Sequence, residues 1–164
     1  MSADVRLYFL RHGLADRAEF DGTDDRLRPL TDAGRQRLEQ QGRFLARMGL
    51  KVDVVLSSPL VRARQTAEIV ARRLGAGDRL RDDPRLEPGF DTSSLAAILA
   101  DLGDGDRRVM LVGHEPDFSE VIGEVTGGSM IVCKKGSLAR VDVPDRDDLR
   151  GLLVWLLPPK AMVD

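Results

Sequence analysis

The chain holds only two histidines, and each stands at the end of an apolar run: His12 closes "LYFLRH" and His114 closes "VMLVGH". Arg11 directly precedes the first, and Arg62 follows the run "VDVVLSS" within one turn of a helix-like pattern. Guanidinium forks match the oxygens of a phosphoryl group two at a time. A neutral imidazole fixed beside such a group can attack phosphorus and form a phosphohistidine that water later cleaves. A second imidazole can hydrogen-bond the equatorial oxygens whose charge must be stabilised in the transition state. The same residues argue against a metal site. A divalent ion takes three or more protein ligands, and two cationic neighbours repel it.

These four side chains meet only if the elements carrying them end at one place. The run Val5 to Leu10 reads as a strand, followed by a long polar loop from Leu14 to Leu30. Thr31 can cap a helix reaching to about Met48, with Leu38, Leu45 and Met48 on one face and Gly49 as its terminator. "VDVVLSS" is a short β-branched strand. Ser58 then reads as an N-cap and Pro59 as a first-turn residue, followed by the helical pattern Leu60, Ala63, Ala67, Val70 and Leu74 and by Gly75. A short strand is expected near Arg79 to Arg81, and a helix through "SSLAAILADLG". "RRVMLVGHEP" repeats the strand, glycine, histidine grammar, with Pro116 opening the next helix. "SMIVCKKGSLARVDV" and "LRGLLVWLLPP" read as C-terminal strands.

Alternating strands and helices followed by extra strands imply one α/β domain over residues 1–164. The expected architecture is a three-layer sandwich, a mainly parallel central sheet with helices on both faces and antiparallel edge strands. In such sheets ligands bind outside the carboxyl ends of the strands, where Arg11, His12, Arg62 and His114 would gather. Gly13 and Gly113 read as turn residues suited to positive φ. Cys133, Phe118 and Trp155 read as core residues.

Bulk properties restrict the setting. Lys and Arg number 25 against 27 Asp and Glu, a net charge of −2 that offers no field to gather nucleic acid or an anionic membrane. No apolar run approaches the ~20 residues of a membrane span. The N-terminal stretch lacks the pattern of a secretory leader. The single cysteine precludes an internal disulfide and fits a reducing compartment. A cytoplasmic protein is expected, and a monomer is the simplest expectation.

"LRHG", "SSPLVRARQTAEIV" and "VGHEPDFSE", in that order, resemble the histidine phosphatase superfamily, also called the phosphoglycerate mutase-like superfamily. The short length, "RPLTDAG" at 28–34, "LEP" at 86–88 and "KKGSLARVDV" resemble its SixA-type branch, the phosphohistidine phosphatases. The resemblance implies a metal-independent hydrolase with no cofactor. It makes His12 the nucleophile and Arg11, Arg62 and His114 the rest of the phosphate pocket, with a phosphorylated protein or a small phosphorylated molecule as substrate.

One position departs from the larger members of that family. Where they carry a proton-donating glutamate two residues after a leucine, Leu86 is followed by Glu87 and then Pro88. Glu87 and Asp16 are therefore the candidate proton donors. A displaced acid favours a phosphoramidate bond to imidazole over an alkyl phosphate, whose poorer leaving group needs the acid more. Without a long insertion to enclose a small metabolite, the expected substrate is a phosphohistidine side chain, with Lys134 and Lys135 as candidate rim residues. The alternatives are a phosphomonoesterase for a small phosphorylated metabolite and a non-catalytic phosphate-binding adaptor. A mutase, which must hold and return the phosphoryl group in a closed site, is disfavoured.

Overall fold

The first apolar run becomes the strand β1, Val5–Arg11, and its alternation sends side chains into two different layers. Val5, Leu7 and Phe9 join one buried cluster, whereas Tyr8 and Leu10 join the other. The computed structural model describes residues 4–163; the reading of the N-terminus as leaderless rests in part on residues 1–3, which lie outside the described residues.

Strands β2 (Val54–Ser57), β3 (Leu80–Asp82), β4 (Arg108–Gly113), β5 (Leu138–Val143) and β6 (Leu152–Leu157) complete a six-stranded sheet in the order β3-β2-β4-β1-β5-β6. The first four strands are mutually parallel, while β5 runs antiparallel to β1 and β6 antiparallel to β5. Helices α1 (Asp32–Arg47) and α2 (Val61–Arg73) cover one face; α3 (Thr92–Asp101) and α4 (Asp117–Val125) cover the other. This is the mainly parallel α/β sandwich anticipated from the sequence. Burying each large aliphatic side chain contributes about 1.5–3 kcal/mol, so these two apolar clusters dominate the attraction between layers.

Thr31 caps α1 as expected, its Oγ1 accepting from the Gly34 N–H at 2.9 Å. The helix ends on Gly49 at φ +75°, where only glycine is unstrained. Met48 does not complete the buried face and is 49% exposed. The amides of Gly49 and Leu50 turn back to the carbonyls of Ala46 and Leu45, and Leu50 takes the apolar contact instead.

The second helix starts later than its sequence suggests. Leu60 is extended (φ −60°, ψ 136°) and is the N-cap, so neither Ser58 nor Pro59 lies in α2. The Ser58 hydroxyl still accepts from the Leu60 amide, at 3.3 Å, and also meets His114 Nε2 at 2.7 Å. The expected strand from Ser129 onward is also shorter, for only Leu138–Val143 joins the sheet. Gly127, Gly128 and Gly136 all have positive φ, and Met130 and Val132 are exposed, so residues 127–137 form a loop. Phe118 and Cys133 are buried, whereas Trp155 is half-buried against Tyr8, ring centroids 6.0 Å apart. Among the described residues, no helix is long and apolar enough to cross a membrane.

Candidate active site

Three adjacent parallel strands, β2, β4 and β1, finish side by side, and their backbone pairing continues past the strand ends. Arg11 lies opposite Gly113, the His12 amide donates to the Gly113 carbonyl at 3.1 Å, and the Ser58 amide donates to the Val112 carbonyl at 2.9 Å. The loops that carry the polar groups are thereby anchored to the sheet. Arg11, His12, Arg62 and His114 all line one cavity of about 400 Å³ there, together with Asp16, Asp25, Arg28 and Pro88.

Gly13 and Gly113 are needed for space, not for positive φ, which neither adopts. A Cβ on Gly13 would approach Leu38 Cδ1 to 2.7 Å, and one on Gly113 would approach Phe118 Cζ to 2.8 Å. The Gly13 amide donates to Thr66 Oγ1 at 3.1 Å, and that hydroxyl donates to the Arg62 carbonyl at 2.8 Å. One buried threonine thus ties the His12 loop to the first turn of α2.

His12 is 6% exposed, and its Nδ1 lies 2.8 Å from the Gly13 carbonyl oxygen. A carbonyl can only accept, so Nδ1 carries the proton and Nε2 keeps a lone pair. Burial pulls the His12 pKa down to about 3 against a raising effect of the Gly13 hydrogen bond, and the nearby His114, Arg62 and Arg11 lower it further. Burial first, then Arg62 and Arg11, lowers His114 to about 4. Both rings are therefore neutral near pH 7, with centroids 5.4 Å apart. His114 Nε2 lies 2.7 Å from Ser58 Oγ.

The arginines are held by oxygen acceptors on neighbouring segments. Arg11 Nη1 donates to the Cys133 carbonyl at 2.8 Å, pinning the 127–137 loop to the end of β1. Arg62 Nη1 donates to the Asp25 carbonyl at 2.9 Å, and its Nη2 pairs with the Asp25 carboxylate at 3.4 Å. Arg28 Nε donates to the same carboxylate at 2.9 Å while its Nη1 reaches the Ala15 carbonyl. That hydrogen bond and the surrounding arginines hold the Asp25 carboxyl below the usual range. Burial lowers the pKa of both Arg11 and Arg62, a sign of the desolvation each guanidinium bears. Arg11 Nε, Arg62 Nε and His114 Nδ1 are buried and have no partner among the described residues.

The two candidate acids differ in placement. Asp16 lines the cavity, with Oδ1 accepting from the Ala18 amide at 2.8 Å. Glu87 does not line it and instead takes both Arg26 Nη groups, at 2.6 and 3.0 Å, a bond that lowers its pKa. Pro88 faces the cavity in its stead. Lys135 stands at the rim, whereas Lys134 lines a neighbouring groove. Arg28, Asp25 and Ser58 carry no sequence signal of a pocket residue: Arg28 opens "RPLTDAG", which bears only a family likeness, and Ser58 has the form of a helix cap.

A mainly parallel α/β sheet that gathers two histidines and several arginines at its strand ends has the groups to hold a phosphoryl oxyanion. The family model of the histidine phosphatase superfamily (branch 1) matches residues 7–88. The chain is 35% identical to an uncharacterized protein of Picosynechococcus sp., covering 94% of this chain and all of that one. It is 29% identical to the phosphohistidine phosphatase SixA of Escherichia coli over 76% of each chain. The structure of the protein histidine phosphatase SixA complexed with tungstate superposes with a TM-score of 0.84 at 25% identity, covering 95% of this chain and 98% of that one. The chain belongs to the histidine phosphatase superfamily and is similar to SixA in sequence and fold.

Proposed function

We propose that the protein is a phosphatase that removes phosphoryl groups from protein phosphohistidine by way of its own His12. The observation that carries this reading is the lone pair on His12 Nε2 in a pocket where Arg11 Nε, Arg62 Nε and His114 Nδ1 are buried without a partner among the described residues. Buried donors rarely remain unpaired, and these three suit the equatorial oxygens of one phosphoryl group.

In this mechanism Nε2 forms a bond to phosphorus as the bond from phosphorus to the substrate imidazole breaks. The leaving nitrogen takes the electron pair and then a proton, from Asp16 or from water. Water next attacks the phosphorylated His12, the P–Nε2 bond breaks, the electron pair returns to the ring, and orthophosphate leaves. The Gly13 carbonyl holds the Nδ1 proton throughout and stabilises the cationic ring formed in the first step. The Ser58 hydroxyl, which accepts from the Leu60 amide at 3.3 Å, turns its own hydrogen to His114 Nε2 and leaves Nδ1–H to donate to the phosphoryl group.

The commitment of Glu87 to Arg26 supports the choice of substrate. With that carboxylate held ionised and Pro88 in the wall, general-acid help is weak, which a phosphoramidate tolerates better than an alkyl ester. The test is phosphate release from a phosphohistidine protein, an aryl phosphate and a panel of phosphometabolites, in chelator, by wild type and His12→Ala. Release is expected to be fastest from the phosphohistidine protein and to fall by at least about a hundredfold in the variant. A metabolite turned over faster would reassign the substrate, and equal activity in the two proteins would remove His12 from the reaction.

A further inference from the structure

Beside the phosphate pocket lies a second groove, about 360 Å³, which shares Arg11 and Lys135 with it. Packing fixes its floor. Gly136, at φ +81°, offers its carbonyl to Gln41 Nε2 at 2.7 Å, and Gly34 has no room for a Cβ beneath the Leu14 carbonyl. Arg37 from α1 and Lys134 and Lys135 from the 127–137 loop stand around it as exposed side chains. No aspartate or glutamate among the described residues lines this groove. Nor does any of the three cations form an ion pair with a described residue, although acidic residues outnumber basic ones 27 to 25 in the chain. In a molecule so rich in arginine–carboxylate pairs, a groove with an apolar floor of Leu14, Leu38 and Pro159, whose only charged lining groups among the described residues are cations, is a local positive excess beside the catalytic pocket.

We infer that this groove is a second anion subsite, which reads acidic side chains flanking the phosphorylated residue of a protein substrate. The inference rests on the phosphatase reading of the adjoining pocket. The form of the cations decides between carboxylates and a second phosphate. Arg11, Arg28 and Arg62 in the phosphate pocket are at least half-buried and clamped by carbonyls or Asp25, as a compact phosphate requires. Arg37, Lys134 and Lys135 are exposed on flexible stems, which suits dispersed carboxylates on a protein surface and acts mainly on encounter and orientation.

The test uses synthetic phosphohistidine peptides flanked by glutamates or by lysines, with wild type and the double variant Arg37→Glu/Lys134→Glu. Lys135 is left intact because it also rims the phosphate pocket. Wild type is expected to favour the glutamate-flanked peptide by about tenfold in kcat/KM at low salt, a preference that collapses as salt is raised. The double variant should lose or invert the preference while turning over an aryl phosphate at the wild-type rate, which also reports an intact fold. Equal kcat/KM for the two peptides, or a preference retained in the variant, overturns the subsite. If neither peptide is hydrolysed, the phosphohistidine reading fails by itself. The groove is then judged by an unphosphorylated glutamate-rich peptide, which should inhibit aryl phosphate turnover in wild type and not in the variant. Stronger inhibition by a small bisphosphate that depends on the same two residues would assign the groove to a second phosphate and overturn the carboxylate assignment.

Discussion

His12 and His114 are buried as neutral rings among arginines, and that arrangement ties stability to acidity. Their pKa values, about 3 and about 4 in the fold, lie below the ~6.5 of an unfolded histidine. Between those limits the unfolded chain binds more protons than the native one, so stability rises with pH across that interval and is flat above it. Stability present above pH ~6.5 is therefore lost as the solution is acidified toward the folded values. Because the chain has only two histidines and its shifted carboxylates are held below the ordinary carboxylate range, any loss between about pH 7 and about pH 5 belongs chiefly to this pair. Thermal unfolding followed across that range should show a falling Tm in wild type and a shallower fall in His12→Asn/His114→Gln. A wild-type curve flat down to about pH 5 would mean that the rings are not held neutral by burial.

At the scale of elements, close packing beneath the first loop matters more than helix propensity. Gly34 is buried in the first turn of α1, and a Cβ there would collide with the Leu14 carbonyl, a backbone atom that also accepts from the Thr31 amide at 3.0 Å. Alanine in place of glycine normally gains about 0.8–1 kcal/mol in a helix. Here the collision should reverse the sign, with Gly34→Ala costing about 1–3 kcal/mol by denaturant unfolding. A stabilised variant would show that the Leu14 loop yields freely. The same contrast explains what could be read from the sequence. The strands β1, β2 and β4, the capped α1 and the alanine-rich stripe of α2 follow periodicity, and they place Arg11, His12, Arg62 and His114 at one end of the sheet. The loop from Gly127 to Gly136 departs from the expected strand because "SMIVC" has strand composition but is flanked by glycines at positive φ, and its Cys133 carbonyl meets Arg11. Arg28, Asp25 and Ser58 have no periodic signal: Arg28 folds back within its own loop onto Asp25 and Ala15, while Asp25 and Ser58 meet Arg62 and His114 of other segments.

For the molecule as a whole, the site is an assembly of segments that share one electrostatic cost. Arg11 comes from β1, Arg28 from the polar loop, Arg62 from α2 and His114 from the end of β4, and Asp25 pairs with only two of the three guanidinium groups. Like charges brought together and partly desolvated oppose folding, so the pocket holds stability below what its packing would otherwise support. An oxyanion that binds only the native state should offset this by mass action, about 2.7 kcal/mol at a hundredfold excess over Kd. Inorganic phosphate or tungstate is therefore expected to raise Tm, while sodium chloride at matched ionic strength should raise it far less, because screening lacks the forked hydrogen bonds. Arg62→Met should remain folded, since its methylenes keep their place in the first turn of α2, yet lose most of the oxyanion-dependent gain. Equal stabilisation by chloride, or an undiminished gain in Arg62→Met, would mean that the pocket's arginines do not act together on one bound anion.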